Sequence, residues 1–336
     1  MLSQGNQEQI RTAKYRKEHH SDQVLSDANN ALVPLERGFA SGFQAPHYPT
    51  LFIVGAPRSG TTLLSQLLIT RFEIGYINNI AARFWMAPSV GALLAQTLKD
   101  SYRPPAVGFK SDLGATPEYE GPHEFGFFWR RWFDYGETHQ LSAEQTDAID
   151  KEFLKQEVAA IENVFNQPLL FKNVPALSLQ VDFLAATFPN AIFVHCRRDP
   201  LYTAQSLLLS RLKYYENRNS WFSIKPKEYV WLEDRPYAEQ IAGQIFYTLQ
   251  KIEKDFSSLA PSRHITIQYE SLCENPEVEL GRVADLFAGN GYELSQRDGL
   301  LPDLSTTNRK KVTDDEFEQL AQACRQFFNK SFIKKG

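Results

Sequence analysis

The sequence predicts an α/β protein, a central parallel sheet flanked by helices, and three observations carry that prediction. Short apolar runs bounded by turn residues recur at Leu51–Val54, Leu169–Phe171 and Ala191–His195, each patterned as a buried parallel strand. Helical patterns separate these runs, and strand–loop–helix–strand is the grammar of a parallel sheet covered on both faces. A chain of 336 residues, 43% hydrophobic and 23% charged, has enough apolar material for one such domain.

Taken in order, residues 1–48 are polar and weakly periodic. They read as an N-terminal extension, either a short helix plus a strap on the core or a partly disordered segment. Residues 49–336 read as a single domain. Leu51–Val54 is followed by Gly55 and Pro57, and leucines at helical spacing begin a helix near Gly60. Ser142 and Gln145 make a capping box ahead of a helix with Ile149, Phe153, Ile161 and Val164 on one face. Pro168 ends that region and Leu169–Phe171 follows as a strand. Val181–Phe188 is helical and stops at Pro189, Ala191–His195 is the next strand, and Pro200 suits the first turn of a helix. Ile241, Ile245, Leu249, Ile252 and Phe256 mark the cleanest amphipathic helix. His264–Tyr269 alternates as a strand, and Thr313 with Glu316 caps a last helix carrying Phe317, Leu320, Cys324 and Phe327.

Several classes are disfavoured. A net charge of −4 argues against a nucleic-acid partner or a polybasic membrane anchor. Cys196, Cys273 and Cys324 are odd in number and far apart, which is neither a disulfide framework nor a metal knuckle. The N-terminus lacks a signal-peptide stretch, and no apolar run approaches the ~20 residues that span a bilayer. The expected location is cytoplasmic.

Most of the chemistry lies in the stretch 51–64, LFIVGAPRSGTTLL. A buried strand enters a Gly/Pro/Ser/Gly turn and a helix starts at once, so backbone N–H groups and a helix N-terminus converge on one point, an anion site. Ser59, Thr61 and Thr62 add hydroxyls, and Arg58 adds a cation. Each hydrogen bond to a charged phosphate contributes roughly 1.5–3 kcal/mol. A bare glycine turn joining strand to helix is the bland alternative, and the Arg/Ser/Thr cluster outweighs it. Gly55 to Gly60 has Walker A spacing, yet Thr61 and Thr62 stand where Lys and Ser/Thr belong. A nucleotide kinase or hydrolase also needs a magnesium-binding carboxylate at a second strand end. Strand 192–195 ends instead in Cys196-Arg197-Arg198.

These residues resemble the superfamily of sulfotransferases that use 3'-phosphoadenylyl sulfate (PAPS). Pro57-Arg58-Ser59-Gly60-Thr61-Thr62 is similar to its 5'-phosphosulfate loop. Arg198 with Ser206, eight positions on, is similar to its 3'-phosphate motif. Gln268-Tyr269-Glu270-Ser271-Leu272 resembles its late strand and turn, which puts Tyr269 near the nucleotide. Asn308-Arg309-Lys310-Lys311 resembles a basic loop over the 3'-phosphate, which adds Arg309 and Lys310. The resemblance implies a P-loop NTPase-like three-layer architecture, PAPS as co-substrate, no metal, release of 3'-phosphoadenosine 5'-phosphate (PAP), and a small-molecule or carbohydrate acceptor offering a hydroxyl or amine. A kinase or hydrolase, and a non-catalytic nucleotide-binding protein, are the alternatives.

By the same resemblance Arg58 stabilises charge on the leaving group, and Lys172 in Leu170-Phe171-Lys172-Asn173 is a second catalytic cation. Cytosolic family members follow that Lys with a catalytic His, where this chain has Val174, and the acid of other branches is replaced here by Tyr76-Ile77-Asn78-Asn79. The general base is therefore sought in the acidic loop 117–124, at His123 or Glu124. Phe127 to Phe133 reads as core with Arg130 and Arg131 snorkelling outward, or else as a sugar-stacking or anionic-acceptor site. The aromatic and charged stretch 214–237 reads as an acceptor lid.

Overall fold

The structure, a computed structural model, describes residues 11–15, 19–102, 108–298 and 300–333. Its sheet has five parallel strands, β1 Leu51–Gly55, β2 Gly75–Tyr76, β3 Leu169–Lys172, β4 Ile192–Arg197 and β5 His264–Gln268, in the order β2-β3-β1-β4-β5. β1 is central: Ile53 pairs with Lys172 of β3 on one side, and Gly55 with Cys196 of β4 on the other. Because every pairing is parallel, residues leaving the strands gather at one edge of the sheet. Ligands of open α/β sheets bind in that crevice.

Side-chain alternation along β1 builds the layers. Phe52 and Val54 face a core that also holds Trp129, Leu154, Ile161 and Leu184, from helices Gly126–Trp132, Lys151–Phe165 and Val181–Thr187. Leu51 and Ile53 face the opposite core, with Leu64, Leu68, Leu280 and Phe287 from helices Thr61–Arg71 and Pro276–Ala288. Phe52 stacks with Phe171 and Phe193 at 5.8 and 5.6 Å and meets the Trp129 ring at 6.2 Å. Full burial of such a side chain contributes about 1.5–3 kcal/mol. The result is the expected three-layer α/β sandwich. A further cluster joins helices Pro200–Tyr215, Tyr237–Phe256 and Asp314–Ile333 through Leu207, Ile241 and Leu320.

Two expectations are corrected. The capping box of Ser142 and Gln145 forms, but on a separate helix of five residues, Ala143–Asp147. Asp150 then caps the long helix Lys151–Phe165 by accepting from the Phe153 N–H at 3.0 Å, because a short carboxylate competes well for a helix start. Tyr269 is not on the strand, since β5 ends at Gln268 and Tyr269 opens the helix Tyr269–Glu274. Before residue 49 the chain forms a helix of 22 residues, His19–Ala40, with Pro34 inside it. Asn29 donates to the Arg83 carbonyl at 2.8 Å, and Glu36 accepts from the Ser89 N–H and hydroxyl, so polar anchors tie this helix down. Among the described residues no helix is long and apolar enough to cross a membrane.

Candidate active site

The turn after β1 is pinned from below. Ser178 accepts from the Gly55 N–H at 3.1 Å and donates to the Gly55 carbonyl at 3.0 Å. Arg58 then takes a left-handed backbone, φ 69°, and Gly60 follows at φ 101°. Glycine is required at 60 for a second reason: a Cβ there would stand 2.6 Å from Cδ2 of Tyr269. Helix Thr61–Arg71 begins at once with no side-chain cap, so its first N–H groups have no helical acceptor. Thr61, Thr62 and Arg58 line a cleft of about 570 Å³ at the sheet edge. Ser59 does not; its hydroxyl is buried inside the turn without a partner among the described residues, while the Cys196 thiol donates to the Ser59 carbonyl at 3.2 Å.

Arg198 leaves β4 into the same cleft. Its Nη1 donates to the Arg58 carbonyl at 3.2 Å, its Nε and Nη2 to Asn308 Oδ1 at 2.9 and 2.7 Å, and Nη2 to Thr307 Oγ1 at 3.0 Å. The Tyr269 ring lies under the guanidinium at 4.5 Å. Arg58 Nε in turn donates to Ser206 Oγ at 3.2 Å, from the helix that Asp199 caps and Pro200 opens. Turn, Arg198 and Ser206 therefore meet on one side of the sheet. All acceptors on both guanidiniums are neutral, and neither Arg58 nor Arg198 makes an ion pair with a described residue. Burial and the neighbouring Arg198 charge push the Arg58 pKa down. Two largely buried cations that form no ion pair with a described residue are an arrangement that anions complete.

Of the basic loop, the neutral residues do the touching. Thr307 and Asn308 engage Arg198, and Asn308 also donates to Glu270 at 2.6 Å. Gln205 holds the loop backbone at Arg309 and Lys311. Arg309 is exposed beside it, whereas Lys310 is ion-paired with Asp314 on the last helix.

Across the cleft, Lys172 ends β3 and donates to Glu124 Oε1 at 2.7 Å; the ammonium is buried and the carboxylate is 36% exposed. Asn173 fixes the Glu124 backbone by donating to its carbonyl at 2.9 Å. A Cβ placed on Gly114 would stand 3.3 Å from Glu124 Oε1, 3.7 Å from Thr62 Oγ1 and 3.8 Å from Lys172 Nζ. Glu124 and Lys172 thus face the phosphate turn directly. His123 is turned the other way: it lines a neighbouring cavity of about 360 Å³, and its Nδ1 already accepts the Phe125 N–H at 2.8 Å. A ring whose acceptor nitrogen is occupied is poorly placed to take a proton. Glu118 and Glu120 line neither cavity, and Glu124 lines both.

The stretch 127–133 divides. Phe128, Trp129 and Phe133 are core. Arg131 does not snorkel outward; it is drawn inward by an ion pair with buried Glu157. Only Arg130 and Phe127 reach solvent and the second cavity. Tyr214, Tyr215, Trp221 and Phe222 wall the first cleft. Sequence reading had no handle on Arg11, which also lines both cavities: Thr12 donates to the Tyr214 carbonyl at 3.1 Å, and Asp112 gathers Lys14, Tyr15 and Lys213.

Among the described residues no group of three or more His, Cys, Asp or Glu side chains is gathered as a metal site. A family model described as "Sulfotransferase family" matches residues 49–289. Two relatives, the omega-hydroxy-beta-dihydromenaquinone-9 sulfotransferases Stf3 of Mycobacterium bovis and Mycobacterium tuberculosis, are each 24% identical over 253 residues, 70% of this chain. The matched stretch spans 61% of the length of those relatives. The fold is similar to that of sulfotransferase STF9 from Mycobacterium avium, with a TM-score of 0.53 at 15% identity over 94% of this chain and 78% of that one.

Proposed function

This chain belongs to the sulfotransferase family, and on that footing we propose that it transfers a sulfuryl group from PAPS to an acceptor hydroxyl or amine and releases PAP. The observation that carries the proposal is the meeting of Arg58 and Arg198, two cations that make no ion pair with a described residue, beside the open helix start at Thr61. PAPS carries anionic groups at both ends of its ribose, and the two guanidiniums with Thr61, Thr62 and Ser206 fit such a ligand. Tyr269, held against Gly60 and under Arg198, offers a ring face beside it. A kinase would need a carboxylate where β4 ends, and Arg198 occupies that position.

In this reading the bound donor supplies the sulfuryl group, and the protein supplies position and charge. Arg58 neutralises the charge that grows on the leaving phosphate. Glu124, held through Oε1 by Lys172, takes the acceptor proton on its other oxygen, so the acceptor gains the sulfuryl group as it loses a proton. His123, with its Nδ1 engaged, is set aside as the base. The relatives' name specifies a hydroxylated acceptor, which supports transfer to oxygen. Buried free thiols at Cys196, Cys273 and Cys324 support a reducing compartment such as the cytoplasm.

Thermal-shift titration tests the donor, because a ligand that binds the folded state raises its melting temperature. PAP should stabilise strongly without magnesium and AMP far less. Stabilisation by ATP that depends on magnesium would contradict the assignment, and PAP binding without PAPS turnover across a broad acceptor panel would indicate a binding protein.

A further inference from the structure

The wall that faces the phosphate turn across the cleft presents donors and cations. Helix Gly126–Trp132 sends its adjacent arginines in different directions: Arg131 inward to Glu157, Arg130 to the exposed side where the two cavities join. Arg130 makes no ion pair with any described residue. His139 lines both cavities as well, and its Nδ1 accepts the Lys225 N–H at 2.9 Å. The neutral ring then offers Nε2 as a donor. Burial first, then the charges of Arg130 and Lys225, push the His139 pKa down to about 4, so the ring stays neutral near pH 7. Lys225 lines the cleft with its ammonium 3.9 Å from the centroid of the Tyr229 ring. Glu137 lines the cleft here, and Glu233 and Glu137 both place carboxylate charge near Lys225.

An exposed arginine on a helix is ordinarily a solvated charge. Arg130 differs because it stands with Lys225 and a histidine kept neutral partly by their field, and clustered like charge is unfavourable until an anion joins it. We propose that the acceptor carries an oxyanion, a carboxylate or a phosphate ester, in addition to the group that receives the sulfuryl, and that Arg130, with His139 Nε2 and Lys225, reads that oxyanion. Glu124 lies on the boundary of the same two cavities, so an acceptor held by Arg130 brings its hydroxyl toward the base. A planar guanidinium grips such groups through two parallel N–H bonds, which orients as well as binds.

This inference rests on the proposed donor and acceptor sites, and the test separates the two. Titration calorimetry on the PAP-saturated protein compares p-(hydroxymethyl)benzoate and p-(hydroxymethyl)phenyl phosphate with benzyl alcohol. The acidic alcohols should bind about ten- to a hundredfold more tightly, as expected for charge-assisted hydrogen bonds. Arg130→Ala should abolish the difference and Arg130→Glu reverse it, while Lys225→Ala reduces it. Equal binding of the three alcohols, or a difference that survives Arg130→Ala, overturns the inference. PAP binding is read first in the same instrument. Its absence would defeat the donor assignment, and the three alcohols would then be compared on the free protein with the same two outcomes for Arg130.

Discussion

Arg198 reaches across the sheet edge and donates to the backbone carbonyl of Arg58 at 3.2 Å, so one cation of the cleft holds the other in place. That carbonyl is presented because Arg58 adopts a left-handed backbone, a conformation that costs a side-chain-bearing residue roughly 1–2 kcal/mol. In the turn, that conformation aims the guanidinium at Ser206 and the cleft. Removing Arg198 therefore removes a ligand contact and a brace together.

Arg198→Ala should weaken PAP far more than AMP, because the residue is assigned to the 3'-phosphate that AMP lacks. A loss of about ten- to a hundredfold for PAP is expected for one charged contact. Arg198→Lys should recover little, since a point charge cannot serve Asn308, Thr307 and Arg58 at once. Calorimetric affinities for the two nucleotides check this; equal loss for both refutes the assignment.

Arg58→Ala separates catalysis from binding. Charge that appears in the transition state is stabilised selectively, so kcat should fall by about a hundred- to a thousandfold while PAP affinity changes much less. Steady-state rates with PAPS, set beside PAP titrations, give the two numbers. Parallel losses would make Arg58 a binding residue only.

Glu124→Gln should lower kcat by about a hundredfold or more, with PAP binding retained. Lys172→Met should act through the same carboxylate, so the double variant should be little worse than the weaker single one. Additive losses would mean the pair does not work as a unit. Glutamine is preferred to alanine here because its amide oxygen keeps an acceptor of the same shape for the buried Lys172 ammonium.

Much of this arrangement was legible before the fold. β1, its turn and the following helix are written locally, by β-branched residues, two glycines and leucine spacing, and so is the exit from β4 at Arg198 and Pro200. Lys172 and Glu124 were each identifiable as candidates, but their pairing depends on β3 lying beside β1. Thr307 and Asn308 carry no charge to draw notice, and their role arises because a distant loop folds onto Arg198. Arg130 was in view as an acceptor candidate, but which arginine of the helix Gly126–Trp132 points outward was not, and His139, in the loop beyond that helix, carried no local signal. The helix His19–Ala40 eluded the pattern because it is polar, contains Pro34, and is anchored by Glu36 and Asn29 rather than by an apolar stripe.

Gly60 and Tyr269 are coupled sterically. Gly60→Ala places a Cβ 2.6 Å from the Tyr269 ring on a backbone with φ 101°, so PAP stabilisation should be lost and the melting temperature should drop. Tyr269→Ala in the same background should restore part of the melting temperature by clearing the collision. No recovery would assign the whole cost to backbone strain.

Glu162 provides a test by pH. Its carboxylate accepts from the His47 and Tyr48 N–H groups, at 2.5 and 3.1 Å, yet burial pushes its pKa up to about 7. A carboxyl raised in the folded state helps folding below its unfolded pKa of about 4.3 and loses that contribution as pH climbs through the folded value. Glu162→Gln mimics the protonated form, so its melting temperature should gain on wild type between pH 5 and pH 8. A constant difference across that range would mean that Glu162 titrates as it does in the unfolded chain.

The most direct test of the central claim is a crystal structure with PAP bound. The account predicts the 5'-phosphate at the Gly60–Thr62 turn beside Arg58, the 3'-phosphate against Arg198 and Ser206, and Glu124 facing the leaving group from the Lys172 side. PAP seated elsewhere, or gripped at one phosphate with Arg198 still spent on Asn308 and Thr307 alone, would contradict it.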